Sequence, residues 1–295
     1  MPPQSSCAAC GDGPLVLHLR TGQAGSDFAP STKEFGRALS DIGRCTACGH
    51  MQLLDMPTDV ILGEVYGEAA DAEYVDEEVG QRATAAAVLD RLEQVVRPGR
   101  LLDLGCWVGF LLSEAAQRGW QTTGVEPSAW ASSYARGLGL DVLHDDLMTA
   151  PLPSASFDAI VLGDVIEHLP DPAAGLARIA GLLAPGGALV LMLPDAGSRL
   201  ARLLGRRWWS VLPTHVQYFT RGSLTRLLQR QGWRVLEVDT APKVFTAGYY
   251  VGRVGGYSPA LGRLLVRLTK AIRLHDRLWA LDLRDRMLVL AVRDS

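Results

Sequence analysis

The residues best placed to do chemistry begin in the run Leu101–Glu126, LLDLGCWVGFLLSEAAQRGWQTTGVE. Leu101-Leu102-Asp103-Leu104 has the apolar density of a buried parallel strand. Gly105 and Gly109 bracket a tight turn, and Phe110–Gln117 carries apolar residues at helical spacing up to a stop at Gly119. Val125 ends a second apolar run and is followed by an acid, Glu126. A glycine turn lets backbone come close to a ligand, at a helix N-terminus whose free N–H groups favour polar or anionic atoms. An acid about 20 residues further on, at the end of the second strand, suits the diol of a ribose.

Four of the five cysteines form two knuckles, Cys7-x-x-Cys10-Gly11 and Cys45-x-x-Cys48-Gly49. Two thiolate pairs complete a tetrahedral four-cysteine zinc site, and with no open position that zinc holds the fold together rather than doing chemistry. Cys106 belongs to the glycine turn and is not a ligand. A third constellation, Asp164-x-x-Glu167-His168, places two acids and a histidine at a spacing that converges on one helical face, a candidate site for a divalent ion such as Mg2+. A fourth is Thr214-His215-Val216-Gln217-Tyr218-Phe219-Thr220, whose histidine titrates near working pH and is suited to removing a proton.

These residues need elements to position them. Leu53–Gly63 leads into an acidic stretch, Glu64–Glu78, with seven carboxylates, Tyr66 and Tyr74. Val79–Val96 has helical spacing and ends at Pro98-Gly99. Gln121–Val125 is then a strand and Pro127–Gly137 a helix capped by Ser128. Strands follow at Asp141–Leu143 and Phe157–Leu162, then a helix at Leu176–Leu183, a Pro185-Gly186-Gly187 turn and a strand at Ala188–Leu193. Ser223–Gln231 is a helix, Gly232–Val238 a strand, and Met287–Val292 a last strand. The reading is an α/β fold: a zinc ribbon over 1–60, a linker with helices over 61–97, and a nucleotide-binding domain over 98–295. A basic helical lid covers about 196–222 and 241–286. Within it Pro259–Leu283 is expected to be one amphipathic helix, with Leu261, Leu264, Leu265, Leu268, Ile272, Leu278 and Trp279 on one face and five cations off it. Such a helix covers a substrate mouth or lies on an anionic membrane surface, and the cover is the favoured reading.

At 295 residues and 48% hydrophobic content the chain can bury one large domain and a small one. No run is long enough to span a bilayer and no signal-peptide pattern opens the sequence, so a cytoplasmic enzyme is expected. The net charge of −3 hides an asymmetry: 11 Lys and Arg against 26 Asp and Glu before residue 199, and 18 against 6 from there on. The first 60 residues hold four cations and six acids, which disfavours a nucleic-acid partner for the ribbon. The ribbon reads instead as a platform or a substrate wall.

Asp103-x-Gly105-Cys106-x-x-Gly109 resembles motif I of class I S-adenosylmethionine (SAM) methyltransferases, with Trp107 where the middle glycine usually stands. Phe157-Asp158-x-Ile160 through Val165-x-Glu167-His168-Leu169-x-Asp171-Pro172 is similar to the corresponding segment of small-molecule members. The resemblance implies a Rossmann-like, seven-stranded, mostly parallel class I methyltransferase sheet whose last strand inserts antiparallel between the fifth and sixth. It also implies a cofactor pocket: Asp103, Gly105, Cys106 and Gly109 at the methionine end, Glu126 on the ribose, and Asp146 before Leu147, with Asp145 as competitor, on the adenine. Gly163 closes the pocket after the fourth strand.

Over residues 7–240 the chain also resembles zinc-ribbon methyltransferases that C-methylate nucleotide-linked deoxysugars. That likeness implies His215 as general base, assisted by Tyr66 or Tyr218. Two departures stand out: Thr214 occupies the place of the acid before the family's histidine, and a tail of 55 residues replaces a large C-terminal domain. The expected substrate is a small sugar or glycan-like secondary metabolite, carrying phosphate that meets the arginines after residue 199. No N/D-P-P-Y follows the fourth strand, which argues against methylating an adenine or glutamine amino group. Three other readings are a metal-assisted O-methyltransferase using Asp164, Glu167 and His168, a ribosomal RNA methyltransferase, and a SAM-binding module without catalysis. Whether oxygen or carbon accepts the methyl, and the oligomeric state, stay open at the level of sequence.

Overall fold

A computed structural model of the chain describes residues 6–23, 35–57 and 72–293. The expectation at Tyr66 lies outside the described residues.

Three short strands of the N-terminal part, β1 (Leu15–Leu19), β2 (Ile42–Cys45) and β3 (Met51–Leu53), share one sheet, and Gly22–Gln23 pairs with Arg37–Ala38 beside them in sequence. After α1 (Glu78–Leu92) the chain alternates strand and helix: β4 (Arg100–Leu104), α2 (Phe110–Gln117), β5 (Gln121–Val125), α3 (Ala129–Gly137), β6 (Val142–Leu143), β7 (Phe157–Gly163), α4 (Pro172–Leu182) and β8 (Leu183–Pro194). Then come β9 (Gln217–Tyr218), α5 (Arg221–Arg230), β10 (Trp233–Thr240), β11 (Val244–Thr246), α6 (Ala247–Arg253), α7 (Pro259–Ala271), β12 (Leu278–Ala280) and β13 (Arg286–Arg293). The helix starts follow from their caps. Ser128 accepts from Ala131 N, Asp171 from Ala174 N ahead of Pro172, and Thr220 and Ser223 cap each other's backbone.

The central sheet has seven strands in the order β10-β13-β8-β7-β4-β5-β6. Its strands run parallel except β13, which lies antiparallel between β8 and β10, as the resemblance implies. β4 and β7 lie inside the sheet and are almost wholly apolar and buried, because helices cover both faces. β8 begins earlier than expected. It takes in the Pro-Gly-Gly turn as an irregularity between Leu183 and Ala188 in its pairing with β7.

A second sheet, in the order β1-β2-β3-β9, joins the cysteine-rich segment to the core. β9 is the strand that follows His215, and it pairs Gln217 with Gln52 and Tyr218 with Met51. Cys7, Cys10 and Cys45 are buried in the same apolar cluster as Phe219, Leu224 and Trp233.

One expectation needs correction. The amphipathic helix does not run to Leu283. It closes at Ala271 in a left-handed Arg273, with Leu274 N donating to Thr269 O and Arg273 N to Lys270 O, the double bond of a helix-ending Schellman motif. Leu278–Ala280 then pairs with Val244–Thr246, so Trp279 faces Phe245 across a two-stranded ribbon. Long-range pairing with Val244–Thr246 outcompetes the helical spacing that the leucines alone suggest.

Candidate active site

The turn after β4 is shaped as its glycines require. Gly105 and Gly109 have φ of +75° and +82°, and Trp107 between them is also left-handed at +49°. A Cβ at Gly105 would lie 2.5 Å from Val165, and one at Gly109 2.4 Å from Leu140, so neither position tolerates a side chain without rearrangement. Trp107 N donates to one Glu126 oxygen and Ser128 N to the other, both at 2.8 Å. This ties the loop to the acid at the end of β5. The Trp107 indole packs between Trp130 and Tyr74, with ring centroids 5.6 and 6.2 Å away, rather than filling the turn.

A cavity of about 1140 Å³ opens here, with Gly105, Trp107, Glu126, Asp146, Leu147 and Gly163 among its walls. Asp103 lines an adjoining cavity of about 220 Å³ that shares the Gly105, Trp107 and Asp164 walls. Burial, with the nearby Glu126 charge, pushes the Asp103 carboxyl up to about 7. Between the two acids proposed for adenine, Asp146 lines the large cavity and Asp145 does not. Asp146 already accepts from Met148 N, Thr149 N and Thr149 Oγ1. Cys106 is absent from the walls of the large cavity but lines the adjoining one with Asp103. Its sulfur sits against β5, where a Cβ at Gly124 would meet it at 2.6 Å.

The same cavity is lined by His168 and His215, with ring centroids 4.7 Å apart. His168 Nδ1 donates to Thr214 O at 2.9 Å, and His215 Nδ1 to Ser210 O at 2.8 Å. A carbonyl only accepts, so each ring keeps its proton on Nδ1 and its basic lone pair on Nε2. Burial, reinforced by the neighbouring His168, holds His215 well below the ordinary histidine range. Glu167 is buried beside them with no hydrogen-bond partner among the described residues for either carboxylate oxygen. Burial, with the Asp164 charge, pushes it up to about 8. One donor atom from each of Glu167, His168 and His215 lies within 4.8 Å of the other two.

This corrects the expected ion site. Asp164 does not join Glu167 and His168, because its carboxylate is held by Lys243 Nζ at 2.5 Å and by the Arg286 guanidinium. Those two cations keep Asp164 well below the usual carboxylate range. His215 takes its place in the cluster. Tyr218 is also placed differently. It is buried with its hydroxyl unpartnered among the described residues and lines neither cavity, so it backs His215 at a centroid distance of 6.4 Å rather than facing a substrate.

Three wall residues escaped the sequence reading as site residues: Tyr74, Lys243 and Arg286. Tyr74 stacks on Phe110 and donates to Gln81 Oε1 at 2.9 Å. Lys243 and Arg286 come from a loop and a strand far apart in sequence, so no spacing could pair them. Only the insertion of β13 beside β8 brings Arg286 to the end of β7.

The four cysteines form one cluster. Cys7 and Cys48 sulfurs are 3.5 Å apart, as are those of Cys10 and Cys45, and all four lie within 4.8 Å of one another. A disulfide needs about 2.05 Å. A tetrahedron of Zn–S bonds of about 2.3 Å has edges near these spacings, so the donor set fits a structural zinc ion. The ribbon that this cluster closes buttresses the His215 strand. His50 Nε2 donates to Gln217 Oε1 at 2.9 Å, and Gln217 Nε2 donates to the Leu169 and Pro170 carbonyls at 3.2 Å. Val216 N reaches Glu167 O at 3.0 Å.

A methyltransferase-domain family profile matches residues 76–238. The chain belongs to the methyltransferase-domain family. It is 36% identical over 96 residues to an uncharacterized methyltransferase of Mycobacterium bovis, covering 31% of this chain and 49% of that protein. It is 27% identical over 154 residues to a ubiquinone biosynthesis O-methyltransferase of Aeromonas salmonicida, covering 48% and 65%. The chain thus spans about half to two thirds of the length of these curated relatives. Among solved structures, a SAM-dependent methyltransferase of Thermotoga maritima, titled a possible histamine N-methyltransferase, aligns with a TM-score of 0.50 at 20% identity over 75% of this chain and 95% of that one. Magnesium protoporphyrin IX methyltransferase of Synechocystis aligns with a TM-score of 0.50 at 17% identity, over 78% and 92%. These likenesses show the fold. The expected Rossmann-like seven-stranded sheet is the one observed, and the profile match makes residues 76–238 a methyltransferase domain.

Proposed function

We propose that the chain transfers the methyl of SAM to a hydroxyl of a small-molecule acceptor bound in the large cavity. The observation that carries this is one shared space, lined by the glycine turn, Glu126 and the His168–His215 pair. Bound SAM supplies a methyl already activated on a sulfonium. Asp103 would hold the methionine ammonium and Glu126 the ribose diol, with Asp146 and Leu147 at the adenine. His215 would take the acceptor's hydroxyl proton on Nε2 as the methyl passes from sulfonium sulfur to oxygen, leaving S-adenosylhomocysteine. Its Nδ1 bond to Ser210 O fixes the tautomer that this requires.

The acceptor we favour is sugar or glycan-like. Trp209, Phe245, Tyr249, Tyr250 and Tyr257 give the cavity flat aromatic walls on which a pyranose can stack, and Arg253 on the same wall suits a phosphate. The likeness to a ubiquinone O-methyltransferase puts phenols beside glycans in a substrate screen. The test is release of S-adenosylhomocysteine from SAM across nucleotide sugars, free glycans and phenols. One class is expected to turn over, with His215→Ala slower by about 10²-fold or more at unchanged SAM affinity.

A second reading keeps the acceptor and replaces the base with a divalent ion. The unpartnered Glu167 oxygens beside two Nδ1-anchored histidines favour it, since metal-binding histidines commonly donate their other N–H to a carbonyl. Such an ion would be held by Glu167, His168 and His215 and would acidify the acceptor hydroxyl. Turnover that requires added Mg2+ or Mn2+, in protein that keeps its ribbon zinc, separates this reading from the first.

A further inference from the structure

Helix α7 docks on the body of the protein through its small side. Gly262 and Thr269 are buried, and a Cβ at Gly262 would lie 2.6 Å from Gly255 Cα. This leaves the helix's large apolar residues outside. Leu261, Leu264, Leu268 and Ile272 are exposed by 45%, 61%, 52% and 53%. At about 100° per residue they make one stripe. Arg263, Arg267 and Lys270 fall on the adjoining arc, all exposed, and none lies in a salt bridge with a carboxylate among the described residues. No acid occurs between Pro259 and Ala271. No residue of α7 lines the cavity, so the helix is not its cover. The cavity rim next to it is apolar and open instead: Tyr257, Leu281 and Leu283 line the cavity and are 46%, 41% and 47% exposed.

We propose that α7 seats this protein on an anionic phospholipid surface, its leucine stripe in the interface and its cations on the headgroups. Charge decides among occupants. A bilayer carrying anionic lipid satisfies the stripe and the adjoining cation row together. A second copy meeting the stripe about a two-fold axis would set one cation row near the other. Nucleic acid would pair with the cations and leave four half-exposed apolar side chains in water. No helix among the described residues is long and apolar enough to cross a membrane, so the contact is peripheral. The seat puts the rim formed by Tyr257, Leu281 and Leu283 beside the lipid.

The test is co-sedimentation of the full chain with phosphatidylcholine vesicles and with vesicles containing phosphatidylglycerol. SAM binding is followed by calorimetry in every variant to establish that the fold is kept. Partition into the anionic vesicles is expected to exceed that into neutral ones by about tenfold or more. Each cation reversed in Arg267→Glu or Lys270→Glu should cost at least about fivefold. Leu264→Asp with Leu268→Asp should abolish binding to both vesicle types at unchanged SAM affinity. Equal partition into the two vesicle types would overturn the proposal, as would binding that survives the leucine substitutions. A dimer seen by light scattering that those substitutions dissociate, without vesicle binding, would assign the stripe to a second copy and also overturn it.

Discussion

Asp103 sits where a carboxylate is costly. Burial and the Glu126 charge raise it to about 7, so near neutrality about half the molecules carry it protonated. An incoming ammonium reverses that balance by favouring the ionised form. Above pH 7 Asp103 is ionised and ready; below it, binding must first remove a proton, so affinity falls as pH falls. SAM affinity measured by calorimetry should therefore weaken about tenfold between pH 8 and pH 6. Asp103→Asn should bind weakly and without that slope, and a flat profile in the unmodified protein would assign the ammonium to another group. Tyr218 calls for the opposite expectation. Its buried hydroxyl has no partner among the described residues, so Tyr218→Phe should leave turnover within about twofold and stability unchanged or slightly raised. Arg286 shares Asp164 with Lys243 at the junction of the two cavities. Arg286→Gln leaves that buried carboxylate with Lys243 alone and should weaken SAM binding by removing half of its charge compensation.

At the scale of elements, the ribbon does more than cap the chain. Its third strand pairs with β9, and through Gln217 it grips the loop that carries Glu167 and His168. Gln217 is 1% exposed and bonded at both ends of its amide, so Gln217→Ala should cost about 3 kcal/mol in denaturant unfolding. It should also lower kcat more than SAM affinity, because the glycine turn lies on other strands. Cys45→Ser, or zinc removal by a chelator, should act in the same direction and further. Alternating strands and helices, Ser128 as a cap and the glycine turn were legible because local spacing and turn chemistry encode them, whereas the antiparallel place of the last strand came only from the family resemblance. The link between ribbon and His215 was not, since Met51–Leu53 and Gln217–Tyr218 are short segments separated by most of the chain. The Pro259–Leu283 region misled for a related reason: helical spacing of leucines continues past Arg273, but cross-strand pairing with Val244–Thr246 decides the structure there.

Over the whole molecule the charge asymmetry divides in two. Part of it is neutralised internally, as Asp164 takes Lys243 and Arg286 and Asp195 takes Arg221 at 3.0 Å. The cations on α7 are not neutralised in this way and give the basic third of the chain an outward face. The same packing explains the Asp164 correction. Read in sequence, Asp164 stands three residues before a Glu-His pair and looks like a ligand; in the fold the two cations reach it first. What unites the molecule is that strand ends of the central sheet bring the glycine turn, Glu126 and His168 to one cavity, and the second sheet adds His215. The most direct measurement is calorimetric titration of SAM into the purified chain and its Asp103→Ala variant. Saturable binding to one site per chain, lost in the variant, is the expected result. No binding of SAM to the unmodified chain would mean that Trp107 closes the turn to the cofactor, and it would contradict the account.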